Sequence, residues 1–470
     1  MICFVKSCHW RKKYDKFIAF SRKICYNLTT EKMRGERPYM NNTAPDTAHE
    51  HNIHNAEHHA HTAEHHPHTA VKQNGFFYFI ARVASFVTAN LIFKRKFIRN
   101  EIKGKKGPFV IIANHEAAYD FVNLIGATSR KMTFVISESF YRTVPVRGVI
   151  KRMGVIPKQQ FQTTIKDIKS MKAVVDNGRI LTIYPAGLMC EDGLSTPIPD
   201  TTYKFLQWLK VDVYMARTYG TYFAMPKWSS GMRPGRTYID VYKLFSKEEL
   251  ETMEESQIRE RTENAMLFDA YRDQEIYKVK YKNGDDIRGL ENVLYKCPSC
   301  KSEFSMHVKD NSVIYCEKCG FAHRSDEYGF LHNEGGGDEI RYVSDWSSMI
   351  YSELCESIAR GDEGEMTLEA RIQMLDKDDS KFSDVGIGEL SLTRDKIYIS
   401  CDKDGELFER SVPITNLASL PFSPGRYVEV QHSSEIFRCH PTDAKQVMKF
   451  INKLKIFHTE FTKEHNAHHT

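Results

Sequence analysis

The run Phe109-Val110-Ile111-Ile112-Ala113 constrains the chain more than any other feature. Five consecutive apolar residues, β-branched at the centre, fit a strand covered on both faces, as in a parallel sheet. The chain then turns polar through Asn114-His115-Glu116-Ala117-Ala118-Tyr119-Asp120. On one regular helix His115 and Asp120 would point about 140° apart, at about 100° per residue. They meet only if His115 stands in the strand-to-helix turn and Asp120 on the helix that follows. An imidazole held by a carboxylate in this way can take a proton from a hydroxyl; the alternative is a structural turn. The chain has 20 His, and this is its single His-x4-Asp.

From Phe109 to about Lys243 strand and helix patterns alternate. Met132–Ile136, Arg179–Tyr184, Val211–Ala216 and Arg236–Tyr242 read as strands. Phe161 to Val175 has helical spacing and stops at Asn177-Gly178, and Tyr203–Leu209 reads as a helix. This pattern predicts an α/β fold, a mostly parallel sheet with helices on both faces. Ser246-Lys247-Glu248-Glu249 is a capping box that opens a long charged helix to about Tyr271.

Further blocks follow in order. The first is Asn114 to Asp120 itself. The second is Val144-Pro145-Val146-Arg147-Gly148 with Met153-Gly154-Val155-Ile156-Pro157-Lys158. The third is Leu181-Thr182-Ile183-Tyr184-Pro185-Ala186-Gly187-Leu188-Met189-Cys190-Glu191-Asp192-Gly193, and the fourth runs from Met215-Ala216-Arg217 to Pro226-Lys227-Trp228. From about Phe76 to Tyr271 the chain resembles the glycerolipid acyltransferases, the lysophosphatidic-acid-acyltransferase-like enzymes. The resemblance implies that His115 and Asp120 are catalytic. It implies that Arg142, Arg147, Lys158, Tyr184, Pro185, Gly187 and Arg217 line the substrate site, with Lys151 and Arg152 adding to the cationic pool. The family usually has aromatic-Pro-Glu-Gly-Thr-Arg in the third block. Here Ala186 replaces the Glu and Met189 stands where Arg is frequent, a departure that bears on acceptor recognition.

Cys297-Pro298-Ser299-Cys300 and Cys316-Glu317-Lys318-Cys319 give C-x2-C-x15-C-x2-C. Each pair forms a tight knuckle aiming two thiolates at one ion, and two knuckles close a tetrahedron. The spacing predicts a structural zinc ribbon that needs its metal to fold. The remaining seven of the 11 Cys are scattered, which argues against a secreted disulfide framework.

Phe76 to Phe93 is the most apolar stretch. It contains Arg82, ends in Lys94-Arg95-Lys96 and is short for a bilayer span. It reads as an interfacial helix with a basic flank; the alternative is a buried helix. No N-terminal run is long enough for a signal-peptide core. The chain is therefore expected at the cytoplasmic face of a membrane, as a peripheral protein. Residues 48–70 hold nine His in a low-complexity tract, read as a linker, with loose metal binding as the alternative. A net charge of +5 and no cluster of Lys/Arg with aromatics give no reason to expect a nucleic-acid partner. Composition fixes no oligomeric state.

The expected organisation is a His-rich segment at 1–75, an acyltransferase domain at 76–290, a zinc ribbon at 291–330, and a linker with a helix at 331–365. A pleckstrin-homology-like β-barrel capped by a helix follows at 366–460, then a tail at 461–470. The resemblance implies an O-acyltransferase that takes an acyl group from acyl-CoA or acyl-ACP to a hydroxyl of a lysophospholipid or glycerol-phosphate-type acceptor. The alternative is an idle acyltransferase fold that binds lipid or serves as a scaffold.

Overall fold

β2 (Phe109–Ala113) forms where the apolar run places it, with every residue buried. In the computed structural model, which describes residues 71–376, 379–403 and 405–467, it lies at the middle of a seven-stranded sheet. The other strands are β1 (Lys96–Asn100), β3 (Met132–Ser137), β4 (Ile156–Lys158), β5 (Ile180–Ile183), β6 (Val213–Tyr219) and β7 (Tyr238–Phe245). Their order is β1-β7-β6-β2-β5-β3-β4, parallel throughout except for β6 against β7. Expectations for the segment before residue 71, including the His-rich tract, lie outside the described residues.

Alternate side chains of β2 serve two cores, as the two-residue period of a strand requires. Val110 and Ile112 pack on one face with α5 (Ile165–Asp176), α6 (Thr201–Leu209), α8 (Lys247–Thr252) and α9 (Glu255–Met266). Phe109, Ile111 and Ala113 pack on the other with α1 (Gly75–Val87), α2 (Asp120–Leu124) and α4 (Arg147–Met153). Helices thus cover both faces, and buried apolar area on each side supplies the main driving force for the fold. Between these lie the short helices α3 (Glu138–Thr143) and α7 (Thr221–Ala224).

Two helix boundaries differ from expectation. α5 starts at Ile165 rather than Phe161, because Phe161 is left-handed (φ 61°) and Thr164 with Asp167 forms a capping box. The long charged helix is three helices: α8, α9 and α10 (Ala270–Tyr277). Ser246 and Glu249 do form the expected box at the start of α8. A second box at Glu254–Gln257 and an N-cap at Asp269 restart the chain twice.

α1 is docked by its polar residues. The Tyr78 hydroxyl accepts from the Met132 N–H, Ser85 donates to the Val122 carbonyl, and Arg82 donates to the carbonyls of Thr128, Ser129 and Arg130. Its other face leaves Phe76, Phe79, Ile80, Val83 and Phe86 exposed. With the π-turn that continues it, the 18-residue stretch Gly75–Ile92 has a mean hydropathy of 1.5, long and apolar enough to cross a membrane by length and composition.

The four cysteines lie in and beside a small antiparallel sheet, β8 (Met306–Lys309), β9 (Val313–Cys316), β10 (Ala322–Ser325) and β11 (Leu331–Gly335), in the order β11-β10-β9-β8. α11 (Val343–Arg360) follows. The last part is an antiparallel sheet in the order β15-β14-β13-β12-β18-β17-β16. Its strands are β12 (Met366–Leu375), β13 (Ser383–Leu392), β14 (Lys396–Lys403), β15 (Glu406–Pro413), β16 (Phe422–Ser423), β17 (Tyr427–His432) and β18 (Glu435–Pro441). β17 and β18 pair across a turn at left-handed Ser433 (φ 54°). α12 (Val447–Ala467) buries Val447, Phe450, Ile451, Leu454 and Phe457 along one face.

Candidate active site and metal centre

His115 stands at the end of β2 and Asp120 opens α2, the arrangement that lets residues five apart meet. His115 Nδ1 lies 2.9 Å from Asp120 Oδ2. The same oxygen accepts the backbone N–H groups of Glu116 (2.8 Å) and Ala117 (3.0 Å). Three donors on one oxygen fix the carboxylate, and the carboxylate fixes the ring. With Nδ1 donating to Asp120, the free lone pair is on Nε2. Asp120 is fully buried, while the His115 side chain keeps 22% of its surface, so a substrate can reach it.

The turn is braced from three sides. Asn114 Nδ2 donates to the Thr218 carbonyl (2.9 Å) and its Oδ1 accepts the Thr218 N–H (2.7 Å), tying β2 to β6. Buried Glu116 accepts from Asn114 Nδ2, Thr221 Oγ and the Tyr222 N–H. Burial, with Asp120 nearby, raises its carboxyl to about 8. Cys190 donates its N–H to the His115 carbonyl at 3.1 Å, and its Sγ lies 3.7 Å from the Glu116 carbonyl. Burial and the carboxylates around it push the Cys190 thiol well up, so it is a brace and not a nucleophile.

Tyr184 packs its ring against His115, 4.7 Å between centroids. Its hydroxyl is buried without a partner, and burial with Asp120 nearby keeps the phenol protonated. Pro185 is half-buried beside it. Gly187 is left-handed (φ 68°) and a Cβ there would meet open space. Its own N–H donates to the Tyr184 carbonyl at 3.0 Å, closing the turn. That N–H is therefore engaged and does not itself serve an oxyanion.

The cations divide. Arg147 on α4 is half-buried, stacked over Tyr141. Lys151 and Arg152 are exposed on the same helix. Lys158 donates to the carbonyls of Gln159 (3.0 Å) and Gln162 (3.2 Å), and burial lowers its pKa. Two of the expected cations are engaged inside the protein. Arg217 is buried and pairs with Asp273 on α10 at 2.7 Å, also donating to the Leu267 carbonyl, so it is engaged inside the protein and not open to a phosphate. Arg142 is buried on α3 and donates to the Asp379 carbonyl at 3.3 Å, beneath the β12–β13 connection. Sequence reasoning missed Asn114, Glu116 and Cys190 as braces. A carboxylate directly beside His115 was the available signal for Glu116; Cys190 offered none.

The four sulfurs of Cys297, Cys300, Cys316 and Cys319 all lie within 4.8 Å of one another. Cys297–Cys319 and Cys300–Cys316 are 3.7 Å apart. A disulfide needs about 2.05 Å. Four thiolates about 2.3 Å from zinc are separated by about 3.8 Å, so the cluster fits a tetrahedral metal. Four protein ligands leave no open position, so such a site is structural. His323 Nε2 accepts from the Ile340 N–H and His307 faces Glu317, which leaves both outside the sulfur shell.

Residues 92–229 match the family described as Acyltransferase, so the chain carries an acyltransferase family domain there. Among solved structures it is similar to the 1-acyl-sn-glycerophosphate (LPA) acyltransferase PlsC from Thermotoga maritima. That likeness has 17% identity and a TM-score of 0.36, over 43% of this chain and 78% of that one. No curated protein matches it.

Proposed function

We propose that the acyltransferase family domain at residues 92–229 makes this chain an O-acyltransferase of glycerolipid type, with His115 as general base oriented by Asp120. The observation that carries the reading is the 2.9 Å contact between His115 Nδ1 and an Asp120 oxygen held by two further N–H groups. Nε2 takes the proton of the acceptor hydroxyl as its oxygen attacks the thioester carbonyl. The tetrahedral intermediate collapses to the ester and expels the thiolate of CoA or of acyl carrier protein. The imidazolium returns its proton to that thiolate. Asp120 stabilises the transient imidazolium and holds the tautomer.

Residues 76–290 carry this chemistry, 291–330 form the zinc ribbon, 331–365 link it, and 366–460 form the pleckstrin-homology-like module. The exposed apolar face of α1, flanked by Lys94 and Lys96, lies on the cytoplasmic surface of a membrane and brings the site to its lipid acceptor. Arg147 and Lys158, with exposed Lys151 and Arg152 beside them, are the cations proposed for an acceptor phosphate. A neutral hydroxyl acceptor is the second reading, favoured by the engagement of Arg142 and Arg217 inside the protein. Radiolabelled acyl-CoA and acyl-ACP offered with lysophosphatidate, glycerol phosphate, lysophosphatidylcholine and monoacylglycerol test both. Labelled phosphatidate-type product supports the first reading, and label only in the neutral product supports the second. No labelled ester with any acceptor, while the protein binds vesicles, would leave an idle fold instead.

A further inference from the structure

The third block is held from outside the acyltransferase domain. Lys455 on α12 places its Nζ 2.6 Å from Glu191 Oε1. Glu191 is buried, and its other oxygen lies 3.9 Å from Lys227 Nζ. Lys227 donates to the Met189 carbonyl at 3.3 Å, and Phe422 of β16 covers its ammonium. Ser347 on α11 donates to Asp192 at 2.7 Å. Between Met189 and Glu191 sits Cys190, whose N–H supports the His115 carbonyl. Lys455 therefore reaches the candidate base through one ion pair, one peptide unit and one hydrogen bond.

We propose that Lys455 is a positioning residue for His115, and that the C-terminal module is a working part of the active site and not an appended binding domain. The inference rests on the acyltransferase reading for its kinetic consequences. Its geometric core, a link from α12 to the His115 turn, does not. An ionised Glu191 is tolerated in this buried place because two ammonium groups face it. Without Lys455, only the longer Lys227 contact restrains it, and the loop that props His115 loosens. Displacement of a base by a fraction of an ångström weakens proton transfer without altering substrate binding.

The test uses the full-length protein and three variants: Lys455→Met, Lys455→Arg and Glu460→Gln. Glu460 lies on the same helix in an exposed pair with Arg394, so its variant controls for general effects. Lys455→Met should lower kcat about tenfold, with KM for donor and acceptor within about twofold. Lys455→Arg should restore most of kcat, and Glu460→Gln should leave it unchanged. A second readout needs no turnover: the rate at which diethyl pyrocarbonate modifies His115, followed by mass spectrometry, should change severalfold in Lys455→Met and not in Glu460→Gln. If Lys455→Met fails to fold, Glu191→Gln replaces it, with the same two effects expected. Wild-type kcat and wild-type His115 labelling in Lys455→Met would overturn the proposal. An inactive wild type whose His115 labelling still responds to Lys455→Met would remove the acyltransferase reading and leave the link standing.

Discussion

Tyr184 lies against His115 with 38° between the ring planes, and its hydroxyl, alone among the atoms of that pair, is both buried and without a hydrogen-bond partner. A buried polar group left unpaired costs about 1–3 kcal/mol. Tyr184→Phe removes it and keeps the ring. The variant is expected to gain about 1 kcal/mol in stability, read as a higher denaturant midpoint. If the hydroxyl meets a partner in the reacting complex proposed here, kcat falls severalfold in the same variant. A loss of stability would contradict the orphaned hydroxyl.

Glu116 makes the fold sensitive to alkali. Its carboxyl titrates near 8 in the folded protein, because burial disfavours its charge, against an ordinary value of 4.5. The folded state holds this proton where the unfolded state has released it. The stabilisation is complete below the ordinary value and is lost as pH rises towards 8. Unfolding curves between pH 5 and about 9 should show stability declining with pH, and Glu116→Gln should flatten that decline. An unchanged slope in the variant would place the titration elsewhere.

The ribbon should carry one zinc ion per chain by elemental analysis, lost on Cys300→Ser. Its removal bears on the acyltransferase domain, because Gly329 packs on Phe223 and the Asn311 carbonyl accepts the Ile287 N–H. Chelation under denaturing stress should lower the unfolding temperature and expose this contact to protease. A metal-free protein with an unaltered melting curve would refute a structural metal.

The outward face of α1 predicts lipid binding. Burying a Phe side chain is worth about 1.5–3 kcal/mol. Each of Phe79→Ser and Phe86→Ser should therefore weaken co-sedimentation with vesicles about tenfold or more. Anionic lipid should strengthen it through Lys94 and Lys96. Equal binding by wild type and both variants would exclude this face as the contact.

Much of this arrangement was legible in the residues. An uninterrupted apolar run followed by Asn-His announced β2 and the His115 turn. Thiol spacing announced the four-sulfur cluster, and Ser246 with Glu249 announced a helix start. What escaped was set by distant partners. Arg217 and Asp273 are 56 positions apart, and Arg142 and Asp379 are 237 apart. A cation looks available in sequence until packing gives it a partner, a carboxylate for Arg217 and a backbone carbonyl for Arg142. The split of the charged segment into α8, α9 and α10 was hidden because its polar residues satisfy a helical pattern on every side, and Glu254 is an unusual cap. Lys455 lay in a helix whose apolar face was obvious, while the role of its polar residue depended on Glu191, 264 positions away.

We propose His115, oriented by Asp120, as the group that removes the proton from the acceptor hydroxyl. The most direct measurement is kcat for acyl transfer in His115→Ala and Asp120→Asn under saturating donor and acceptor. A general base contributes about 10²–10⁴-fold. A loss in that range is expected for His115→Ala, and a large loss for Asp120→Asn with the fold intact. Wild-type turnover in either variant would contradict it.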